Sequence, residues 1–179
     1  MHMHACGSKG AYTMSRFVIP PGEGNSVWFV SPDWFGVDFK IEEQHTGGLF
    51  AVVEHPMGPG VLVLPHIHTR EDEFSYVLEG EIGARIGDEE VHATTGCYVL
   101  KPRNIWHTFW NPGPRPARVI EIISPSGFEK YFAEVTALTQ SGPPDPEAVE
   151  RLASRYGLTF SMDWVPELKT KYNLRLGNE

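Results

Sequence analysis

Cysteine is nearly absent. The 179-residue chain has two, Cys6 and Cys97, far apart and in different settings. That pattern does not fit a disulfide framework, and it favours a reducing compartment, the cytoplasm. Long apolar runs are missing too. None approaches the ~18 residues that cross a membrane, so no membrane partner is expected. Basic runs are also lacking, and the net charge is −8. Nothing therefore points to nucleic acid. The opening MHMHACGSKGAYTM contains no long apolar core and does not read as a secretory signal. It reads as a flexible leader over residues 1–14. His2 and His4 lie in it. What is present is a globular composition, 41% hydrophobic and 21% charged, in a chain long enough for one sizeable core.

The pattern along the chain is many short strands followed by helices. Segments 15–19, 27–30, 35–42, 48–55 and 60–66 are rich in Val, Ile, Phe and Leu, with Pro and Gly clusters between them. Segments 73–79, 81–86, 89–93, 97–101, 105–110 and 117–123 continue the series. Gly80-Glu81 and Gly87-Asp88 supply hairpin turns. So many closely spaced strands predict a sandwich or closed barrel over 15–125. Residues 126–179 then form a C-terminal helical extension that packs on the barrel. Ser126 and Glu129 have capping-box spacing, and Phe128, Tyr131, Phe132, Val135 and Leu138 follow at helical intervals. SGPPDP is a linker. Asp145 reads as an N-cap with Pro146 at the first helical position, and Gly157 as a stop. Residues 158–179 show no clear period, though Phe160, Trp164, Val165 and Leu168 offer a docking edge.

Two stretches carry the chemistry. One is Gly60-x5-His66-x-His68-x4-Glu73-x6-Gly80, the other Gly96-x5-Pro102-x4-His107-x3-Asn111. His66 and His68 are two apart, so on a strand both imidazoles point to one face and can share one metal ion. Both stretches resemble the two sequence motifs of the cupin superfamily, and the wider likeness is to small quercetinase-like dioxygenases. The resemblance implies an all-β cupin double-stranded β-helix, a jelly-roll barrel, with His66, His68, Glu73 and His107 as the ligands of one divalent metal. It also implies a homodimer. One departure is Asn104, where the second motif usually has Gly. Asn tolerates a left-handed backbone better than most residues, so the turn survives.

Strand alternation places Phe109 and Asn111 inward with His107, and Ser75 inward with Glu73. Phe109, Ser75 and Asn111 are thus candidates for a substrate pocket. Phe74, Tyr76, Trp106 and Trp110 point outward and need a cover. His45, His55 and His92 lie near turn signals and read as solvated, His45 with Gln44 as a candidate for the pocket rim. Cys97 reads as a small packed residue.

Three neutral imidazoles and one carboxylate leave a divalent ion with a net charge of about +1, which attracts an anionic or enolate-like oxygen. The mixed nitrogen and oxygen set suits Fe, Mn, Ni, Co or Zn alike. Three functions fit. An oxygenase would act on a small enolate- or phenolate-like substrate, with Glu73 as ligand and catalytic base. A non-redox isomerase, epimerase or decarboxylase would use the metal as Lewis acid. A sensor would bind a small ligand without catalysis, though no DNA-binding helix pair accompanies the motifs.

Overall fold

The computed structural model describes residues 17–29, 34–139, 142 and 144–177. The leader therefore lies outside the described residues. Among the described residues, eleven strands form two antiparallel sheets, and four helices accompany them. The first sheet contains β1 (Ser26–Phe29), β2 (Phe35–Ile41), β3 (Ala51–Met57), β5 (Asp72–Glu79), β8 (Tyr98–Lys101) and β10 (Ala117–Ser124), in the order β1-β2-β3-β10-β5-β8. The second contains β4 (His66–His68), β6 (Glu81–Ile86), β7 (Glu89–Thr94), β9 (His107–Trp110) and β11 (Leu158–Phe160), in the order β11-β4-β9-β6-β7. This is the cupin double-stranded β-helix. Period-2 alternation builds it. β3 and β10 alternate buried and half-buried residues along their whole length, as strands with one face inward must. Val37, Phe39, Val53, Val77, Val119 and Ile123 from the first sheet meet Ile82, Ala84, Ala93 and Phe109 from the second.

The helices are α1 (Glu43–Thr46), α2 (Glu129–Thr139), α3 (Pro146–Arg155) and α4 (Val165–Tyr172). Asp145 caps α3 as expected, its side chain accepting from Glu147 N at 3.1 Å. The Ser126–Glu129 box does not close. The Glu129 carboxylate accepts from Gly127 N and from Glu43 N, tying α2 to α1, while the Ser126 hydroxyl is buried without a partner among the described residues. α1 sits where no helix was expected, because four residues are too few to show a period. No strand forms over 17–19, where the chain is turn and coil, and Phe17 and Val18 are exposed.

The extension does two jobs. Val165, Leu168 and Leu174 cover Trp110 on the outer face of the second sheet. Gly83 pairs with Trp110 across the ladder, and a Cβ there would fall 2.2 Å from the indole, so only glycine lets the ring lie flat. Phe128, Tyr131, Val135 and Leu152, by contrast, join the barrel's inner core. Residues 158–160 are strand, not helix, and pair with β4 in the register Leu158↔His68 and Phe160↔His66. No described helix is long and apolar enough to cross a membrane.

Candidate metal centre

Register brings the four motif residues together. His66 on β4 lies opposite His107 on β9. His68 follows on the same face of β4, and Glu73 faces them from β5. One donor atom from each of the four lies within 4.8 Å of the others, and all four side chains are buried. The second-motif turn helps fix the place. Asn104 is left-handed at φ 62°, and its N–H donates to the His68 carbonyl at 2.7 Å.

The ring nitrogens are arranged for a cation. His66 Nδ1 lies 2.6 Å from the Leu64 carbonyl and His107 Nδ1 lies 3.0 Å from the Ile105 carbonyl. Donation by each Nδ1–H leaves each Nε2 as a lone-pair donor. His68 Nε2 is 3.6 Å from Glu73 Oε1, and His107 Nε2 is 3.4 Å from Glu73 Oε2. Both Nε2 atoms are buried without a hydrogen-bond partner among the described residues. Burial lowers His66 well below its ordinary value, aided by the neighbouring His107 and His68. Burial also lowers His107, against the pull of Glu73. Buried ring nitrogens left unanswered and converging on one carboxylate fit a divalent ion.

Behind Glu73 stands an ionic network on the six-stranded sheet. Lys101 is Glu73's cross-strand neighbour, and Glu121 is Ser75's. Lys101 Nζ lies 3.1 Å from Glu73 Oε2 and donates to Glu121 Oε2 at 2.6 Å. Ser75 Oγ donates to the same Glu121 oxygen at 2.8 Å. Burial opposes the charge on Glu73, but the Lys101 ammonium together with His68 and His107 outweighs it and holds the carboxyl well below the usual carboxylate range. Burial likewise opposes the charge on Lys101, yet Glu121 and Glu73 raise it above an ordinary lysine. Burial pushes Glu121 up to about 7 against the pull of Lys101.

The pocket candidates separate. Ser75 belongs to this network. Phe109 lies inside the barrel with its ring centre 4.5 Å from Lys101 Nζ. Asn111 is buried, but its amide donates to the carbonyls of Met57, Gly58 and Arg115, so it clamps loops. His45 is exposed and accepts from Glu42 N at 3.0 Å, capping α1 rather than lining a pocket rim. His92 is exposed beside Glu81, as expected. His55 is not solvated. It points into the core from β3, stacks on Phe35 at 4.8 Å and bonds the Gly36 carbonyl at 3.0 Å. Burial lowers it to about 4. Cys97 is exposed, not packed, because the turn before β8 leaves its side chain outside the sheet.

Sequence reasoning missed Lys101 and Glu121, and it missed the aromatic cover. Phe128 meets His68 edge-on at 4.3 Å and stacks on Tyr131 at 5.4 Å, while Phe160 lies 6.2 Å from His66. Helical spacing marks Phe128 and Tyr131 as a packing face, and Phe160 belongs to the expected docking edge, but neither reading says what these residues pack against.

Residues 53–123 match the cupin domain family Cupin_2. With the double-stranded β-helix, that match supports the cupin superfamily. The chain is also similar to the tetracenomycin polyketide synthase protein TcmJ of Streptomyces glaucescens, 34% identical over 80 residues, which are 45% of this chain and 52% of that protein. The similarity thus spans about half of that protein's length. Among solved structures, KdgF from Halomonas sp. superposes with a TM-score of 0.53 at 18% identity, over 63% of this chain and 96% of that one. TT1209 from Thermus thermophilus gives 0.48 at 23% identity, over 54% and 88%. At 18% identity the KdgF structure speaks to the fold alone.

Proposed function

We propose that this chain is a metal-dependent cupin enzyme, an oxygenase of small organic substrates that present an enolate- or phenolate-like oxygen. The observation that supports it is the convergence of His66, His68, Glu73 and His107 in a buried, aromatic-covered part of the barrel. These four residues would hold one divalent ion, iron, manganese, nickel, cobalt or zinc. When bound, the ion supplies Lewis acidity to an anionic substrate oxygen and, if redox-active, a path for electrons to dioxygen.

The chain's own residues shape what happens around it. Phe109, Phe128 and Phe160 exclude water, which strengthens every charge interaction inside. With all four ligands buried, a substrate reaches them only when Phe128 or its neighbours give way. Glu73 is first a ligand. A carboxylate held ionised by Lys101 is a weak proton acceptor, so a second role as catalytic base requires it to leave Lys101 as well. Replacing Glu73 by Gln would then lower turnover more than substrate affinity.

The test is metal analysis of protein purified without added metal, followed by oxygen uptake on phenols, diketones and polyketide-type substrates. The similarity to a polyketide synthase protein supports the last group. Oxygen consumed in proportion to substrate is the expected result. Full turnover under strict anaerobiosis, or with zinc, would replace this reading with a non-redox isomerase, epimerase or decarboxylase. Tight binding without turnover would replace it with a sensor.

A homodimer is part of the same proposal. Phe74, Tyr98 and Leu100 stand exposed on β5 and the edge strand β8, Tyr98 by 77%. A second copy seated there would cover them. Light scattering that gives a monomer at micromolar concentration would remove the dimer and leave the chemistry untouched.

A further inference from the structure

Three adjacent acidic residues, Glu71, Asp72 and Glu73, point three ways. Glu73 faces the candidate metal centre. Asp72 turns outward and holds Arg103, its Oδ2 accepting at 2.8 Å. Glu71 turns back beneath His68, and neither the motif nor the mechanism above uses it.

The three imidazoles are unequal behind the centre. His66 and His107 each have a backbone carbonyl two residues upstream of them in reach of Nδ1. His68 has none. The group facing its Nδ1 is Glu71 Oε2, at 3.6 Å. Both atoms are buried, and neither has a hydrogen-bond partner among the described residues. Two orphaned polar atoms facing each other across a gap wider than a hydrogen bond form an incomplete contact, and leaving either unmade is costly. A neutral imidazole that offers Nε2 to a cation must carry its proton on Nδ1. For His68 that proton points at Glu71. The gap then has only to close to the ~2.7–2.9 Å of a charge-assisted bond.

The turn that presents Glu71 is pinned from the C-terminal extension. Thr69 N donates to the Gly157 carbonyl at 3.0 Å, and Arg70 Nη1 donates to the Arg155 carbonyl at 2.9 Å. We propose that Glu71 is a positioning residue, which accepts the Nδ1–H of His68 when the centre is loaded and so fixes the tautomer, orientation and donor strength of that one ligand. The proposal rests on the metal-site reading. Outer partners of ligating histidines commonly set metal affinity over 10–100-fold.

The experiment is cobalt(II) titration against a competing chelator at one pH. It compares wild type, Glu71→Gln, Glu71→Met and a His66→Ala/His107→Ala control, and records melting of each metal-free protein. Glu71→Gln should weaken cobalt binding roughly 10-fold and Glu71→Met by up to about 100-fold, with metal-free melting unchanged or raised. Proton NMR of the cobalt forms should show three paramagnetically shifted, exchangeable ring N–H signals in wild type. Only the signal assigned to His68 should move in Glu71→Gln. Affinities within about twofold of wild type overturn the proposal. So does weakened binding with the His68 signal unmoved, which would make Glu71 merely structural. If Glu71→Met does not fold, the isosteric Glu71→Gln decides alone. Undiminished cobalt binding by the double-alanine control would instead overturn the metal site itself.

Discussion

On the inner face of the six-stranded sheet, Lys101, Glu121 and Ser75 answer one another, with Glu121 Oε1 left over. On the five-stranded sheet across from it, His68 and His107 present ring nitrogens that nothing among the described residues answers. Both faces are equally dry. A buried polar group that finds its partner within the chain contributes to holding the fold together. One that does not is held by the rest of the fold and waits for a partner from outside. The contrast also separates two buried histidines. His55 is stacked and bonded within the core, whereas His68 is aimed at a shared centre. Glu73 joins the two faces, one oxygen beside Lys101 and the other toward His68.

The largest effect is expected from removing the unanswered side. The His66→Ala/His107→Ala variant should lose metal entirely by elemental analysis. Chelating the wild type at pH 7.5 should lower its stability by about 4 kcal/mol if metal stood near 1,000 times its dissociation constant. Melting curves before and after chelation measure this.

Disrupting the answered side comes next. Lys101→Met leaves Glu121 and Glu73 facing each other without a cation and should destabilise the metal-free protein by about 3–5 kcal/mol in urea. Adding Glu121→Leu should restore much of that loss. A double variant no more stable than the single would show that the network is not a self-contained pair.

A third test uses pH. The folded-state value of His55 lies at about 4 and its ordinary value at 6.5, so the unfolded chain binds the extra proton between them. The stability this contributes is present above pH 6.5 and is lost as pH falls through 4, about 3 kcal/mol in all. His55→Phe keeps a ring against Phe35 and should flatten that part of the urea-derived stability profile. His66 and His107, also lowered, keep the rest of the slope.

The mildest perturbation comes from outside the imidazole face. Gly83→Ala pushes a methyl into Trp110 and should cost about 1–3 kcal/mol. Because Trp110 and His107 share β9, the variant should also loosen metal binding slightly, read by the same chelator competition.

Much of this was legible in the sequence because strands alternate with a fixed period. Segments 35–42, 73–79, 81–86 and 117–123 became β2, β5, β6 and β10 within a residue or so. His66, His68, Glu73 and His107 converge because i, i+2 spacing and two turns leave them little alternative. What stayed hidden depends on partners remote in sequence. Lys101 ends an apolar run and looks like a solvated terminus until Glu121 arrives across β5. His55 sits between Glu54 and Pro56, a polar setting that says nothing of its inward pleat. β11 has three residues, too few for any periodicity to register.

That short strand has a temporal consequence. The β4 edge opposite β9 is filled by residues 158–160, so the hairpin-like core of the barrel can pair long before the histidine strand is fully bracketed. During synthesis, the bracket cannot close until those residues have left the ribosome and found β4, a contact of high sequence separation that forms late. A nascent barrel would thus leave the outer edge of β4 unpaired, and would seal it only when residues 158–160 dock.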